Sequence, residues 1–153
     1  MELYLVQHGK PVPKKVNPDR PLSEEGRQDV KRLASFLRGA GIIVEKVFHS
    51  GKTRSFETAQ ILASALGAPL SQRQGLAPLD DVRPLALEID SSYDKTMFVG
   101  HLPHLDKLTS LLVVGEEEKG VVRFEQGGVV CLSKNEEGGW TVAWMVVPGL
   151  IGG

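Results

Sequence analysis

Leu3-Tyr4-Leu5-Val6-Gln7-His8-Gly9 is the stretch on which the reading of this chain turns. Its four consecutive apolar residues fit a strand buried on both faces, as in a parallel sheet. The run stops at a glutamine, a histidine and a glycine, so the strand has a polar tip. Two other stretches follow the same plan. Residues 96–99 are apolar and end at Gly100-His101, and residues 44–48 lead through His49 and Ser50 to Arg54. Helical patterns lie between these strands. Ser23 stands before Glu24 and Glu25, a helix cap followed by acids in the first turn. Val30, Leu33, Ala34 and Leu37 continue at helical spacing until Gly39 and Gly41. Residues 53–66 form a second amphipathic helix, with Phe56, Ala59, Ile61, Leu62 and Ala65 as its apolar side and Gly67 and Pro69 as its stop. Residues 70–74 fit a short strand and residues 81–89 a weaker helical piece. Residues 103–114 fit a helix with Pro103 near its start, and residues 128–133 and 140–147 two antiparallel strands.

Strands alternating with helices predict an α/β fold, a three-layer α/β/α sandwich around a mostly parallel central sheet. Ligands in such folds bind beyond the carboxyl ends of the strands. His8, His101 and the Ser50–Arg54 segment are therefore expected to meet. The chain has 153 residues and no repeat or linker, which predicts one domain over residues 1–153. Its net charge of -1 offers no bulk attraction to nucleic acid or an anionic membrane. The first residues lack the basic start and long apolar core of a secretion signal, and no apolar stretch is long enough to span a bilayer. A cytoplasmic monomer is expected. Cys131, the single cysteine, excludes an internal disulfide and reads as a small core residue.

His8, Arg20, Arg54 and His101 together make a poor metal site and a good one for a tetrahedral dianion. Arginine forks match phosphate oxygens in pairs, and Gly9 leaves the His8 imidazole room to approach phosphorus. Phosphoryl transfer is the chemistry these residue types suit.

Four segments carry a family resemblance. Gln7-His8-Gly9 resembles the Arg-His-Gly signature of the histidine phosphatase superfamily, which includes the cofactor-dependent phosphoglycerate mutases. The segment from Arg20-Pro21-Leu22-Ser23 to Gly26 resembles the family's loop ahead of its first helix. Ser50-Gly51-Lys52-Thr53-Arg54 through Thr58-Ala59 resembles its Ser-Pro-x-x-Arg-x-x-x-Thr-Ala block, with Gly51 in place of proline. Gly100-His101-Leu102-Pro103 resembles its second histidine motif. The motifs occur in the family's order. The short chain and Leu76-Ala77-Pro78-Leu79-Asp80-Asp81 look most like the SixA-type phosphohistidine phosphatases.

The resemblance implies a phosphoglycerate mutase-like fold and these roles. His8 attacks phosphorus and is transiently phosphorylated. Arg20 and Arg54 hold the phosphoryl oxygens, and His101 completes the anion pocket as donor or cation. Ser50 contacts the phosphate or shapes the pocket, and no metal or cofactor is required. Asp81 is the candidate general acid, with Asp80 beside it as the alternative and helix capping as a third role. Gln7 departs from the family's arginine: it keeps hydrogen bonding but loses the charge and the fork. An absent cation there predicts a raised His8 pKa and weaker catalysis.

Three functions stay open at this level. The first is a phosphatase acting on phosphohistidine in a protein. The second is a phosphate- or phosphopeptide-binding module in which Gln7 has cost catalysis. The third is a phosphomonoesterase for a small metabolite. Among the remaining residues, His49 reads as a residue for packing or local hydrogen bonding, and His104 as a residue in the first turn of a helix near the site, within range of a substrate. Lys10, Lys14 and Lys15 read as a solvated loop or a basic rim, and Glu116 to Glu118 as a solvated turn. Trp140 and Trp144 are expected on one face of their strand. The Gly-rich tail from Pro148 to Gly153 is expected to fray.

Overall fold

The computed structural model describes residues 1–152. Six strands, β1 (Glu2–Gln7), β2 (Lys46–His49), β3 (Leu70–Gln72), β4 (Thr96–Gly100), β5 (Val129–Lys134) and β6 (Trp140–Val146), form one sheet in the order β3-β2-β4-β1-β5-β6. The pairings β2–β3, β2–β4 and β1–β4 are parallel, whereas β5 runs antiparallel to both β1 and β6. Four helices cover the sheet: α1 (Glu24–Gly39), α2 (Thr53–Leu66), α3 (Arg83–Glu88) and α4 (His104–Val114).

Alternation along each strand sends neighbouring side chains to opposite faces. Tyr4 and Val6 of β1 join Val47, Met97, Val99 and Cys131 beneath Val30, Leu33 and Leu37 of α1 and Leu62 of α2. Leu3 and Leu5 join Phe98, Val130 and Leu132 beneath Leu85 of α3 and Leu105 and Leu108 of α4. The result is the expected three-layer sandwich, with α1 and α2 on one face and α3 and α4 on the other. Leu33 is completely buried, so Leu33→Ala would cost about 2–5 kcal/mol through lost transfer energy and a cavity.

Local chemistry starts and stops the helices as the sequence suggests. Ser23 Oγ accepts the Gly26 N–H at 3.0 Å to cap α1, and Glu24 and Glu25 oppose the positive end of its dipole. Gly67, in the left-handed region at φ +65°, ends α2.

Two expectations need correction. Trp140 packs against the α3/α4 face, while Trp144 packs on the α1/α2 face with its ring 6.0 Å from Tyr4. The register explains the split. Cys131 faces Trp144 but Leu132 faces Val142, so Ala143 is an extra residue in β6 and inverts the alternation. The tail does not fray over its described part. Residues 148–150 form a 3₁₀ turn, Pro148 is buried, and Ile151 packs against the α1/α2 core; Gly153 lies outside the described residues. Cys131 is a buried free thiol in that core, and burial pushes it up to about 12.

Candidate active site

The register of three adjacent strands lines up the polar tips. Gln7 of β1 faces Gly100 of β4, and His49 of β2 faces Val99 of β4. The residues just beyond, Ser50, His101 and His8, therefore emerge in a row at the carboxyl edge of the sheet, with His101 in the middle. The His8 N–H donates to the Gly100 carbonyl at 3.0 Å. The His8 and His101 rings stand 5.0 Å apart, and Ser50 Oγ shares a 2.6 Å hydrogen bond with His101 Nε2.

The His8 ring has a defined tautomer. Its Nδ1 lies 2.7 Å from the Gly9 carbonyl oxygen, which only accepts, so Nδ1 carries the proton. Nε2 is left with a free lone pair. Burial, together with the charges of Arg54 and Arg20, lowers the His8 pKa to about 4, opposed by the Gly9 hydrogen bond. The imidazole is thus neutral at pH 7. The rise in pKa expected from Gln7 does not occur, because burial and these two arginines do what a neighbouring cation would have done. His101 is also neutral at rest: burial, then the charges of His8, Arg54, Lys52 and His104, lower it to about 3. Of the two roles expected for His101, donor fits the free protein and cation does not.

Arg20 and Arg54 share one open cleft. Neither holds a carboxylate among the described residues, and Arg54 Nε is buried without a hydrogen-bond partner. Burial and the Arg20 charge lower the Arg54 pKa. Arg20 adopts φ +49°, a left-handed conformation disfavoured for a residue with a side chain, while its Nε donates to the Val12 carbonyl at 3.3 Å. A strained backbone and two uncompensated guanidinium groups give this cleft the chemistry to hold a tetrahedral anion.

Three residues that the sequence reading gave no role hold this arrangement, Thr58 among them although it stands in a family motif. Thr58 Oγ1 accepts the Gly9 N–H at 3.0 Å and donates to the Arg54 carbonyl at 2.8 Å, so one buried hydroxyl ties the loop after β1 to α2. Ser55 Oγ donates to Val99 O at 2.7 Å and accepts the Ser50 N–H at 3.1 Å. Glu57 accepts the Leu22 N–H at 2.7 Å and pairs with Arg27 at 3.4 Å, fixing the loop that carries Arg20. The available signal was polar residues interrupting the apolar face of a helix.

The other candidates lie around this centre. Gln7 is buried, its Oε1 has no partner, and it borders a separate cavity with Lys10, Glu25, Asp29 and Arg32. Asp80 and Asp81 are exposed beside a cavity that Ser50 also lines. Asp80 Oδ2 accepts the Ala77 N–H at 3.0 Å, and Asp81 Oδ1 accepts the Arg83 N–H at 3.0 Å. The hydrogen bonds from the backbone and side chain of Arg83 hold the Asp81 carboxyl below its ordinary range. His49 Nδ1 accepts the Gly51 N–H at 3.1 Å and its ring meets Phe56 edge-on, the local role expected of it. Phe56 itself is half-exposed rather than core. His104 is fully buried in the first turn of α4, which removes it from substrate. Of the proposed basic rim, only Lys14 lines the arginine cleft; Lys10 turns the other way and pairs with Glu25 at 3.0 Å.

Comparisons with known proteins agree with this geometry. The family model of the histidine phosphatase superfamily (branch 1) matches residues 3–80, about half of the chain. An uncharacterized protein of Picosynechococcus is 31% identical over 124 residues, covering 76% of this chain and 75% of its own. The phosphohistidine phosphatase SixA of Escherichia coli is 23% identical over 97% of this chain and 94% of its own. The structure of the protein histidine phosphatase SixA with tungstate superimposes with a TM-score of 0.84 at 22% identity, over 98% of this chain and 99% of that one. The sheet, the order of the motifs and these matches lead to one assignment: this chain belongs to the histidine phosphatase superfamily.

Proposed function

We propose that this protein is a metal-independent phosphatase that removes phosphate from phosphohistidine on another protein, acting as a single-domain monomer in the cytoplasm. The observation that carries the reading is the His8 ring, whose Nδ1–H is bound to the Gly9 carbonyl, whose Nε2 is free, and which lies within the field of the unpaired Arg54 and Arg20. The Nε2 lone pair forms the new bond to phosphorus as the bond from phosphorus to the leaving nitrogen breaks. The Gly9 carbonyl stabilises the positive charge that develops on His8. Arg20, Arg54 and the His101–Ser50 pair hold the phosphoryl oxygens through the transition state. Water then attacks phosphorus and releases His8.

The surroundings of the acids favour a nitrogen leaving group. Asp80 and Asp81 both serve as acceptors for backbone N–H groups, and the pairing of Asp81 with Arg83 keeps it ionised. An ionised carboxylate has no proton to give an alkoxide. The imidazole of phosphohistidine leaves more easily and needs less help. A small phosphomonoester is the second reading, favoured by the cavity of about 590 Å³ between Ser50 and Asp81, a size typical of small-ligand sites. The binding-module reading is the weaker one, because a neutral, free Nε2 is secured without an arginine at position 7.

Phosphoramidate, a phosphohistidine-bearing carrier protein and simple phosphoesters, supplied in parallel, test the proposal. Release from the first two, slower release from the esters and a trapped phosphoryl group that maps to His8 and vanishes in His8→Ala are expected. No phosphate release at any pH from mildly acid to mildly alkaline would overturn it.

A further inference from the structure

The cleft that holds Arg20 and Arg54 contains two more cations, Lys14 and Lys52, and a single carboxylate, Asp19. Both lysines are exposed. No ion pair joins any of these four cations to Asp19 or to another carboxylate among the described residues. Elsewhere Lys10, Arg27, Arg32, Arg73, Arg83 and Lys107 each have an acidic partner. In a protein of net charge -1, four unpaired cations in one cleft are a local concentration of positive charge. One phosphoryl dianion uses the two arginines. It leaves the lysines over, and at about 430 Å³ the cleft is larger than one phosphoryl group.

The backbone shows how Lys52 gets there. Gly51 sits at φ +94°, and a Cβ on it would lie 2.5 Å from Gln72 Nε2. Proline, with φ locked near about −65°, does not adopt this turn. Lys52 follows directly as the residue before α2, with no side-chain bond to the helix. Lys14 lines the cleft from the loop that also carries Arg20, out of a turn in which the Val16 and Asn17 N–H groups donate to the Pro13 carbonyl. Two flexible cations thus flank the phosphoryl pocket on an open surface.

We infer that Lys14 and Lys52 form a second anion subsite, which takes acidic side chains flanking the phosphorylated residue of a protein substrate. The inference rests on the phosphatase reading above and adds a specificity to it. The open cleft and the long exposed side chains favour carboxylates on a protein surface over a compact second phosphate. Such contacts act through steering and weak pairing, so they appear in KM and in salt dependence more than in kcat.

The test uses the full chain and a Lys14→Gln/Lys52→Gln double variant, with phosphoramidate and two phosphohistidine peptides that differ only in acidic or neutral flanks. Wild type is expected to prefer the acidic peptide through KM. The double variant should lose about five- to tenfold in KM on that peptide alone, with phosphoramidate turnover at the wild-type level. Salt at about 0.5 M should erase the preference. Equal KM for both peptides in wild type, or equal losses on both in the variant, would overturn the inference. So would a loss on phosphoramidate as large as that on the acidic peptide, which would assign the lysines to the phosphoryl site itself. Calorimetry of His8→Ala with the same peptides reads the subsite without turnover. Selective binding by a protein whose wild type is inert would sink the phosphatase reading and support the subsite. An active wild type indifferent to the flanks would sink the subsite alone.

Discussion

The two sides of His8 use charge in opposite ways. On one side, Arg20 and Arg54 line a cleft with no acidic partner, and Arg54 Nε is buried and unbonded. On the other, Gln7 faces a cavity in which Lys10 pairs with Glu25 at 3.0 Å and Arg32 with Asp29 at 2.5 Å. Both regions contain cations, so the number of cations does not distinguish them. Neutralisation does: a cation already paired has little left to offer an incoming dianion. Function is to be sought where the protein leaves charge uncompensated, and on the Gln7 side the cations are already committed to carboxylates.

The strongest way to break this contrast is Arg54→Ala. Loss of one preorganised donor predicts a fall in kcat/KM of about 10²–10³ on phosphoramidate, measured by steady-state kinetics; a change of less than about threefold would show that the cleft is not the phosphoryl site. The pH dependence comes next. His8 and His101 have folded pKa values of about 4 and about 3, both below the ordinary 6.5. Below pH 6.5 the unfolded chain therefore binds protons that the native state refuses, so stability falls as pH drops from 6.5 toward 4, by up to about 1.4 kcal/mol per pH unit and histidine. Turnover should stay level down to about pH 5 and then decline as His8 takes a proton. Thermal melts and rates across that window check both limbs, and an acid limb near pH 6.5 would mean that burial does not protect the nucleophile.

Gln7→Arg places a cation on the neutral side. A gain of about tenfold in rate is expected, since one added charge-assisted hydrogen bond is worth roughly 1.4 kcal/mol. An unchanged rate would show that this side does not reach phosphorus. The smallest effect belongs to Arg32→Ala, which should leave turnover untouched and cost under about 1 kcal/mol in a denaturant titration, as for a half-exposed ion pair. A drop in rate there would blur the contrast.

Much of this was legible in the sequence, and the reasons are local. Apolar runs ending in His8 and His101 gave β1 and β4, and the spacing of Val30, Leu33 and Leu37 gave α1, because burial periodicity is written into a helix or strand directly. The convergence of His8, Ser50 and His101 followed from the rule that binding sites form at strand ends. What escaped depends on pairing between distant residues. Ala143 becomes a bulge only opposite Cys131 and Leu132, so the split of Trp140 and Trp144 has no signal in β6 alone. Ser55 and Glu57 look like ordinary helix residues until their partners Val99 and Leu22 arrive from elsewhere, and Thr58, though part of a motif, shows its tie to Gly9 only in the fold. The protonation of His8 is likewise a property of its enclosure, which is why the substitution at position 7 misled.

Gly26 has a consequence out of proportion to its size. A Cβ there would lie 2.1 Å from the Lys10 carbonyl oxygen, the same oxygen that the Ser23 N–H and hydroxyl hold at 2.9 Å. Any larger residue at position 26 pushes the chain just past His8 away from α1. In a library of single substitutions sorted by turnover, this position should tolerate as little as His8 itself, and a reader of that map would mistake a hinge-pin for a reagent.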